Sequence, residues 1–184
     1  MKNLINMNVV IIGCGLIGQK RANSLGSNPL IACCDIDKIT AEKFSKKNNV
    51  PYYLDIEELF KNEDFDIAIL SSTHNSLPGL IKKCLKHKKH VLVEKPAGRF
   101  SNELEGITDL AKTNKCKVHV GFNHRYHRAF RKANQIIKSK ELGEIMFIRG
   151  RYGHGGRIGY NKEWRSNPEL SGGGELIDQG SHLI

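Results

Sequence analysis

From Val9 to Ile12 the chain runs through four apolar β-branched residues without a polar break, and Gly13-Cys14-Gly15-Leu16-Ile17-Gly18 follows at once. Such a run suits a strand buried on both faces of a parallel sheet, because a half-exposed strand would alternate. A helical pattern begins directly after the glycines. Leu30 to Cys34 is the next apolar strand, and Ile39 to Asn49, with Ala41 and Phe44 among lysines, reads as a surface helix. A short strand from Val50 to Leu54, a brief helix marked by Ile56, Leu59 and Phe60, and a buried strand from Asp66 to Ser71 come next. Leu77, Leu80, Ile81, Cys84 and Leu85 recur at spacings of three and four, which draws one apolar stripe along a helix. His90 to Val93 is a further buried strand; Ser101 can cap a helix through about Lys112 with Leu104, Ile107, Leu110 and Ala111 inward. Lys117 to Phe122 closes the series. Strand and helix alternate throughout, the pattern of a doubly wound α/β sheet.

Beyond residue 122 the pattern changes. Phe130, Ala133, Ile136 and Ile137 line a basic helix that ends near Leu142-Gly143, and Glu144 to Tyr152 alternates enough for a strand with one exposed face. Gly153 to Gly159 is too glycine-rich for a regular element. In the segment GGGELIDQGSHLI, helical spacing puts Glu175, Asp178, Gln179 and His182 on one face and Leu176, Ile177, Gly180, Leu183 and Ile184 on the other.

The first glycines carry the first chemical expectation. In a strand-turn-helix unit, Gly13 makes the tight turn, Gly15 lets the backbone approach a pyrophosphate, and Gly18 lets the helix pack close. A glycine turn alone is weak evidence. The partner it needs is an acid at the end of the second strand, about 20 residues on, to hold a ribose hydroxyl. Asp35 stands there. Asp35 and Asp37 would both repel a 2′-phosphate and no arginine follows, so NAD is favoured over NADP, with Lys38 close enough to moderate the preference.

Composition narrows the class. The chain has 184 residues, more than one typical domain and less than two, and is 39% hydrophobic. Its apolar runs are strand-sized, far below the ~20 residues of a membrane span. Met1 to Met7 does not read as a secretory signal, and five cysteines without a CxxC pair fit a reduced cytoplasm better than a disulfide framework or a zinc site. The net charge is +10, from 29 basic against 19 acidic residues. Lys82, Lys83, Lys86, Lys88 and Lys89 form a solvated helix face or attract acidic ligands. No aromatic residues interleave with them and no nucleic-acid module is visible.

Two more stretches offer chemistry. Ser72-Thr73-His74-Asn75 leaves the C-terminal end of a strand, where α/β sheets bind ligands. Its hydroxyls and amide can contact a nicotinamide ribose, and Asn75 or Ser76 can also cap the next helix. Glu94-Lys95-Pro96 sets two charges at the same sheet edge, with Lys95 pushed extended by the proline. A lysine held there and partly desolvated is a candidate acid-base group with Glu94 to fix it; a surface ion pair is the alternative.

GCGLIG, the acid at Asp35, HVLVEKP and VGFNHRYHRAF together resemble the oxidoreductases grouped with glucose-fructose oxidoreductase, inositol dehydrogenase and MocA. The resemblance implies a Rossmann-type half over residues 1–122 and an incomplete α+β second domain over 123–184. It sets Lys95 at the active site and makes Asp178 and His182 its other catalytic residues. Leu16, Ile17, Glu94, Lys95 and Asn123 join Gly13, Gly15, Gly18, Asp35, Ser72, Thr73 and Asn75 as expected cofactor contacts. Many members have proline where Thr73 stands and histidine where Leu77 stands. Arg151, Arg157 and Arg165 surround the glycine-rich loop, and arginine grips phosphate or carboxylate with paired hydrogen bonds. Arg125, Tyr126, Arg157, Trp164 and Arg165 are therefore candidate substrate contacts, for a nucleotide sugar, a uronic acid or inositol. GHGGRIGY, WR and SGGGELIDQG also resemble a subset associated with surface-polysaccharide sugars.

In the implied reaction His182, whose ordinary pKa of about 6.5 lies near working pH, takes the hydroxyl proton. Lys95 bonds the same oxygen or exchanges roles with it, and Asp178 orients one or both. Family members are longer, with a second domain built on a multi-stranded open sheet. The chain is then either an NAD-dependent sugar dehydrogenase or a truncated, nucleotide-binding remnant without turnover. The family associates through its second-domain sheet, which leaves homo-oligomer formation open.

Overall fold

The computed structural model of the chain describes residues 6–153 and 158–182. Its first part is built on a six-stranded sheet of β1 (Val9–Ile12), β2 (Leu30–Cys34), β3 (Tyr52–Tyr53), β4 (Ile67–Leu70), β5 (His90–Val93) and β6 (Val118–Val120). The order is β3-β2-β1-β4-β5-β6, and every pair is parallel. Between them run α1 (Leu16–Ala22), α2 (Lys38–Asn48), α3 (Ile56–Asn62), α4 (Leu77–Lys86) and α5 (Ile107–Thr113).

The unbroken apolar strands have the burial that their sequence requires. Val10 and Ile12 join one core with Leu59, Phe65, Leu77, Ile81 and Leu85, while Val9 and Ile11 join a second with Cys14, Cys33 and Phe44. Successive side chains of one strand thus enter opposite cores, as period-two geometry dictates when helices cover both faces. The strand order reverses between β1 and β4, so their C-terminal ends open a crevice.

Several sequence expectations need correction. The helix from Ser101 to Lys112 is two elements, a 3₁₀ turn at Ser101–Leu104 and then α5. Glu103 folds its carboxylate back onto the Arg99 guanidinium and amide, 2.6 to 2.9 Å away, and Gly106 breaks the path with φ +76°. Ser76 makes no capping bond for α4; its hydroxyl donates to the Thr73 carbonyl at 2.8 Å instead.

In the second part, α6 (Arg128–Ser139) forms where the periodicity predicts it but stops short of the expected end near Leu142-Gly143, because Lys140 takes a left-handed conformation with φ +60°. The strand expected over Glu144–Tyr152 is absent. A strand needs a neighbour to bond its amides, and among the described residues none pairs with it, so Met146, Phe147 and Ile148 stand exposed. The chain closes with α7 (Pro168–Ser171) and α8 (Gly174–Asp178). The continuous helix expected from 174 onward stops at Asp178 and resumes as a 3₁₀ turn at Gly180–His182. Its burial is inverted, with Leu176 78% exposed and Asp178 5%. Leu183 and Ile184 lie outside the described residues.

Candidate active site

The crevice between β1 and β4 widens into a cleft of about 660 Å³. Gly13 leaves β1 with φ +96°, and a Cβ there would stand 2.6 Å from the Ser71 carbonyl carbon. A Cβ on Gly18 would stand 2.1 Å from the Gly13 oxygen, so close helix-strand packing depends on its absence. Gly15 differs. It lines the cleft, and a Cβ on it would meet nothing within 4 Å. Behind the turn, the Asp35 carboxylate accepts the Cys14 amide at 2.7 Å and the Asp37 amide at 2.9 Å.

On the far side, β5 delivers Glu94 and Lys95 before a cis proline, Pro96. Glu94 pairs with Arg21 of α1, which ties the glycine-turn helix to the end of β5. The Lys95 side chain is 12% exposed and donates to Asp178 twice, to its carbonyl oxygen and, at 2.9 Å, to Oδ1. Asp178 Oδ2 accepts Gln179 Nε2 at 2.9 Å and the Tyr160 hydroxyl at 3.2 Å, with Arg165 Nε 3.4 Å away. Burial would raise the Asp178 carboxyl, but the Lys95 bond and charge, with Gln179 and Arg165, outweigh it and hold the group below the usual carboxylate range.

His182 lies in the same cleft, its ring stacked on His124 at 3.9 Å with Tyr152 edge-on at 5.6 Å. Its Nδ1 is buried and has no hydrogen-bond partner among the described residues. Burial, then the charges of Lys95 and His124, bring its pKa down to about 4 against the opposing pull of Asp178. The ring is therefore neutral at pH 7. Asp178 spends its bonds on Lys95 and the residues around it, so it orients the lysine, while stacking orients the histidine.

Of the sequence-predicted residues, Gly15, Leu16, Ile17, Ser72, Glu94, Lys95, Asn123, Trp164, Arg165, Asp178 and His182 line the cleft. Gly13, Gly18 and Asp35 support it from behind. Thr73 Oγ1 bonds Asn75 Oδ1 at 2.7 Å, beside the cleft rather than in its wall. Arg125 lies over the Phe122 ring, and the Tyr126 hydroxyl is 3.3 Å from His119 Nε2, so the turn after β6 presents Asn123 and His124 to the cleft instead. Arg157 lies outside the described residues. Sequence reasoning missed Arg21, His74, His124, Tyr152 and Tyr160 as cleft residues. An acid at a strand end such as Glu94 calls for a nearby cation, which was the available signal for Arg21; the tyrosines carried none.

A parallel sheet of this order, with a glycine turn at its switch point and an acid after the second strand, defines the class of Rossmann dinucleotide-binding proteins. The sequence profile of the oxidoreductase family with an NAD-binding Rossmann fold matches residues 7–122, and that of the GFO/IDH/MocA C-terminal domain matches residues 130–184. The chain belongs to the GFO/IDH/MocA family. It is 26% identical to the trans-1,2-dihydrobenzene-1,2-diol dehydrogenase of Xenopus tropicalis, over 84% of this chain and 45% of that one. To the inositol 2-dehydrogenase of Salmonella paratyphi B it is 26% identical, over 77% of this chain and 44% of the relative. The crystal structure of myo-inositol 2-dehydrogenase from Lactobacillus plantarum superposes with a TM-score of 0.87 at 24% identity, covering 97% of this chain and 54% of that one. The chain thus spans about half the length of these relatives.

Proposed function

We propose that the protein moves a hydride between a nicotinamide dinucleotide and a secondary alcohol of a polyol or sugar. The observation that carries this is the free bond of Lys95. An ammonium has three N–H donors, Asp178 takes two, and among the described residues the third has no partner and is left for an oxygen in the cleft.

The residues fit the dinucleotide. Gly15 leaves open the space that a side chain would fill, and the first amides of α1 have no carbonyl of their own helix to bond. Gly15, Leu16 and Ile17 would hold the pyrophosphate, Asp35 a ribose, and Ser72, Glu94 and Asn123 the nicotinamide end. When bound, NAD supplies the hydride acceptor. Asp35 and Asp37 oppose a 2′-phosphate, and Lys38 is drawn toward Glu42 at 3.8 Å, which supports NAD over NADP.

Lys95 bonds the reacting oxygen and stabilises the negative charge that grows on it, in a cleft wall where that charge is poorly screened. Neutral His182 takes the hydroxyl proton; an alkoxide forming beside it favours the imidazolium, which offsets its low resting basicity. Asp178 keeps Lys95 aimed. Arg165 already faces Asp178 and Glu163, 3.4 Å from each, which supports a neutral polyol such as inositol over a uronic acid or nucleotide sugar.

The test is a fluorescence titration with NADH and NADPH, followed by turnover on myo-inositol, a uronic acid and a nucleotide sugar, with Lys95→Met beside the wild type. Lys95→Met should keep NADH affinity within about threefold and lower kcat by about 10³-fold or more. No NADH binding, or Lys95→Met turnover equal to wild type, would overturn the proposal.

A further inference from the structure

Helix α7 ends on three consecutive carbonyls whose donors come from the Rossmann half. The Arg99 guanidinium donates to the Glu169 oxygen, the Asn75 amide to Leu170 at 3.1 Å, and His74 Nδ1 meets the Ser171 oxygen at 2.9 Å. The last carbonyls of a helix have no donor within it, so these outside groups complete its bonding. His74 is the enclosed member of the three, 3% exposed against a Ser171 that is 1% exposed. A carbonyl oxygen only accepts, so Nδ1 carries the proton. Burial lowers the His74 pKa, which keeps the ring neutral.

His74 reaches Asp178 by two routes. Its ring packs edge-on against Trp164 at 4.6 Å, and the next residue, Arg165, brings Nε to 3.4 Å from Asp178 Oδ2. Ser171 leads through Gly172, Gly173 and Gly174, all at positive φ, straight into α8 and its Asp178. We propose that His74 is a positioning residue, which seats Ser171 and Trp164 so that Asp178 meets Lys95 and His182 stays enclosed in the cleft. Its relevance to catalysis rests on Lys95, Asp178 and His182 being the reacting groups proposed above.

The His182 titration reports this seating. Lys95, Asp178, His124 and the Tyr152 ring face His182, and loss of the seating would admit water and move Lys95 and Asp178 apart. The experiment is an NMR titration of the histidine ring protons in the full chain, for wild type, His74→Phe and His74→Asn. Phenylalanine keeps a ring and loses the donor; asparagine offers an amide N–H near the position of Nδ1. Wild-type His182 should titrate near 4. His74→Phe should raise that value by more than about one unit, a tenfold change in acidity, and His74→Asn should return it toward wild type. An unchanged His182 in His74→Phe, or His74→Asn no better than His74→Phe, overturns the proposal. If His74→Phe loses its dispersed methyl signals and so has not folded, the ring ¹⁵N shifts of wild-type His74 decide. A neutral ring protonated at Nδ1 supports the role, and protonation at Nε2 or on both nitrogens at neutral pH overturns it. The NADH titration of the wild type tests the dinucleotide site by itself, so a chain that binds no NADH can still keep or lose the His74 effect.

Discussion

Lys95 and Asp178 are each nearly closed to water, with side-chain exposures of 12% and 7%. A buried ion pair is costly to break, because removal of one partner strands the other charge. Asp178→Ala should therefore destabilise the chain by about 2–4 kcal/mol in urea unfolding, and Asp178→Asn by less. Acid acts on the same residues. The Asp178 carboxyl is held low, so its contribution is complete above its ordinary value and is lost as pH falls through the depressed one. His182 adds in the same direction, since between 6.5 and about 4 the unfolded chain takes up a proton that the folded ring resists. Urea midpoints should fall across that window, and His182→Gln should flatten its upper part while the loss at lower pH remains. The glycines divide by the same logic. Gly18→Ala would drive a Cβ into the Gly13 oxygen and should cost about 2 kcal/mol or more in stability. Gly15→Ala meets open space, so its stability should change by about 0.5 kcal/mol or less while NADH affinity drops about tenfold or more. Thermal unfolding beside NADH fluorescence separates the two.

At the scale of elements, the sheet was legible because buried parallel strands advertise themselves as apolar runs and their helices as stripes. The misplaced elements share a cause: apolar periodicity was outvoted by a polar side-chain contact, or by a missing strand partner. Glu103 turns the chain back toward Arg99, so the helix expected from Ser101 divides. The alternation of Glu144–Tyr152 is of strand type, but among the described residues no edge is offered to it. Hydrogen exchange should find amides 145–152 unprotected, with those of β4 and β5 the slowest in the chain. Protection at 145–152 would mean that a strand pairs there. In the candidate site, the Asp178 and His182 spacing was legible, yet the side chains that each would meet were not. A 3₁₀ turn replaces the last helical turn, and the partners Lys95 and His124 lie more than fifty residues away in sequence.

For the whole molecule, a net charge of +10 coexists with exposed Phe130, Ile137, Met146, Phe147 and Ile148. Repulsion keeps such copies apart at low salt, and screening removes it. Sedimentation should find association growing as salt rises to about 0.5 M, where the Debye length is only a few ångströms. Phe147→Asp should reduce it. Besides the Lys95–Asp178 pair and the His74–Trp164 contact, the two parts of the chain are joined through the carbonyls of Glu169, Leu170 and Ser171. A grip on main-chain oxygens recognises a path through space and ignores which side chains hang from it. Residues 169 and 170 are thus free to drift under mutation while the carboxylate eight residues beyond Leu170 keeps its address. The places where drift would be punished are the donors, His74 and Arg99, which stand far from the segment whose position they record.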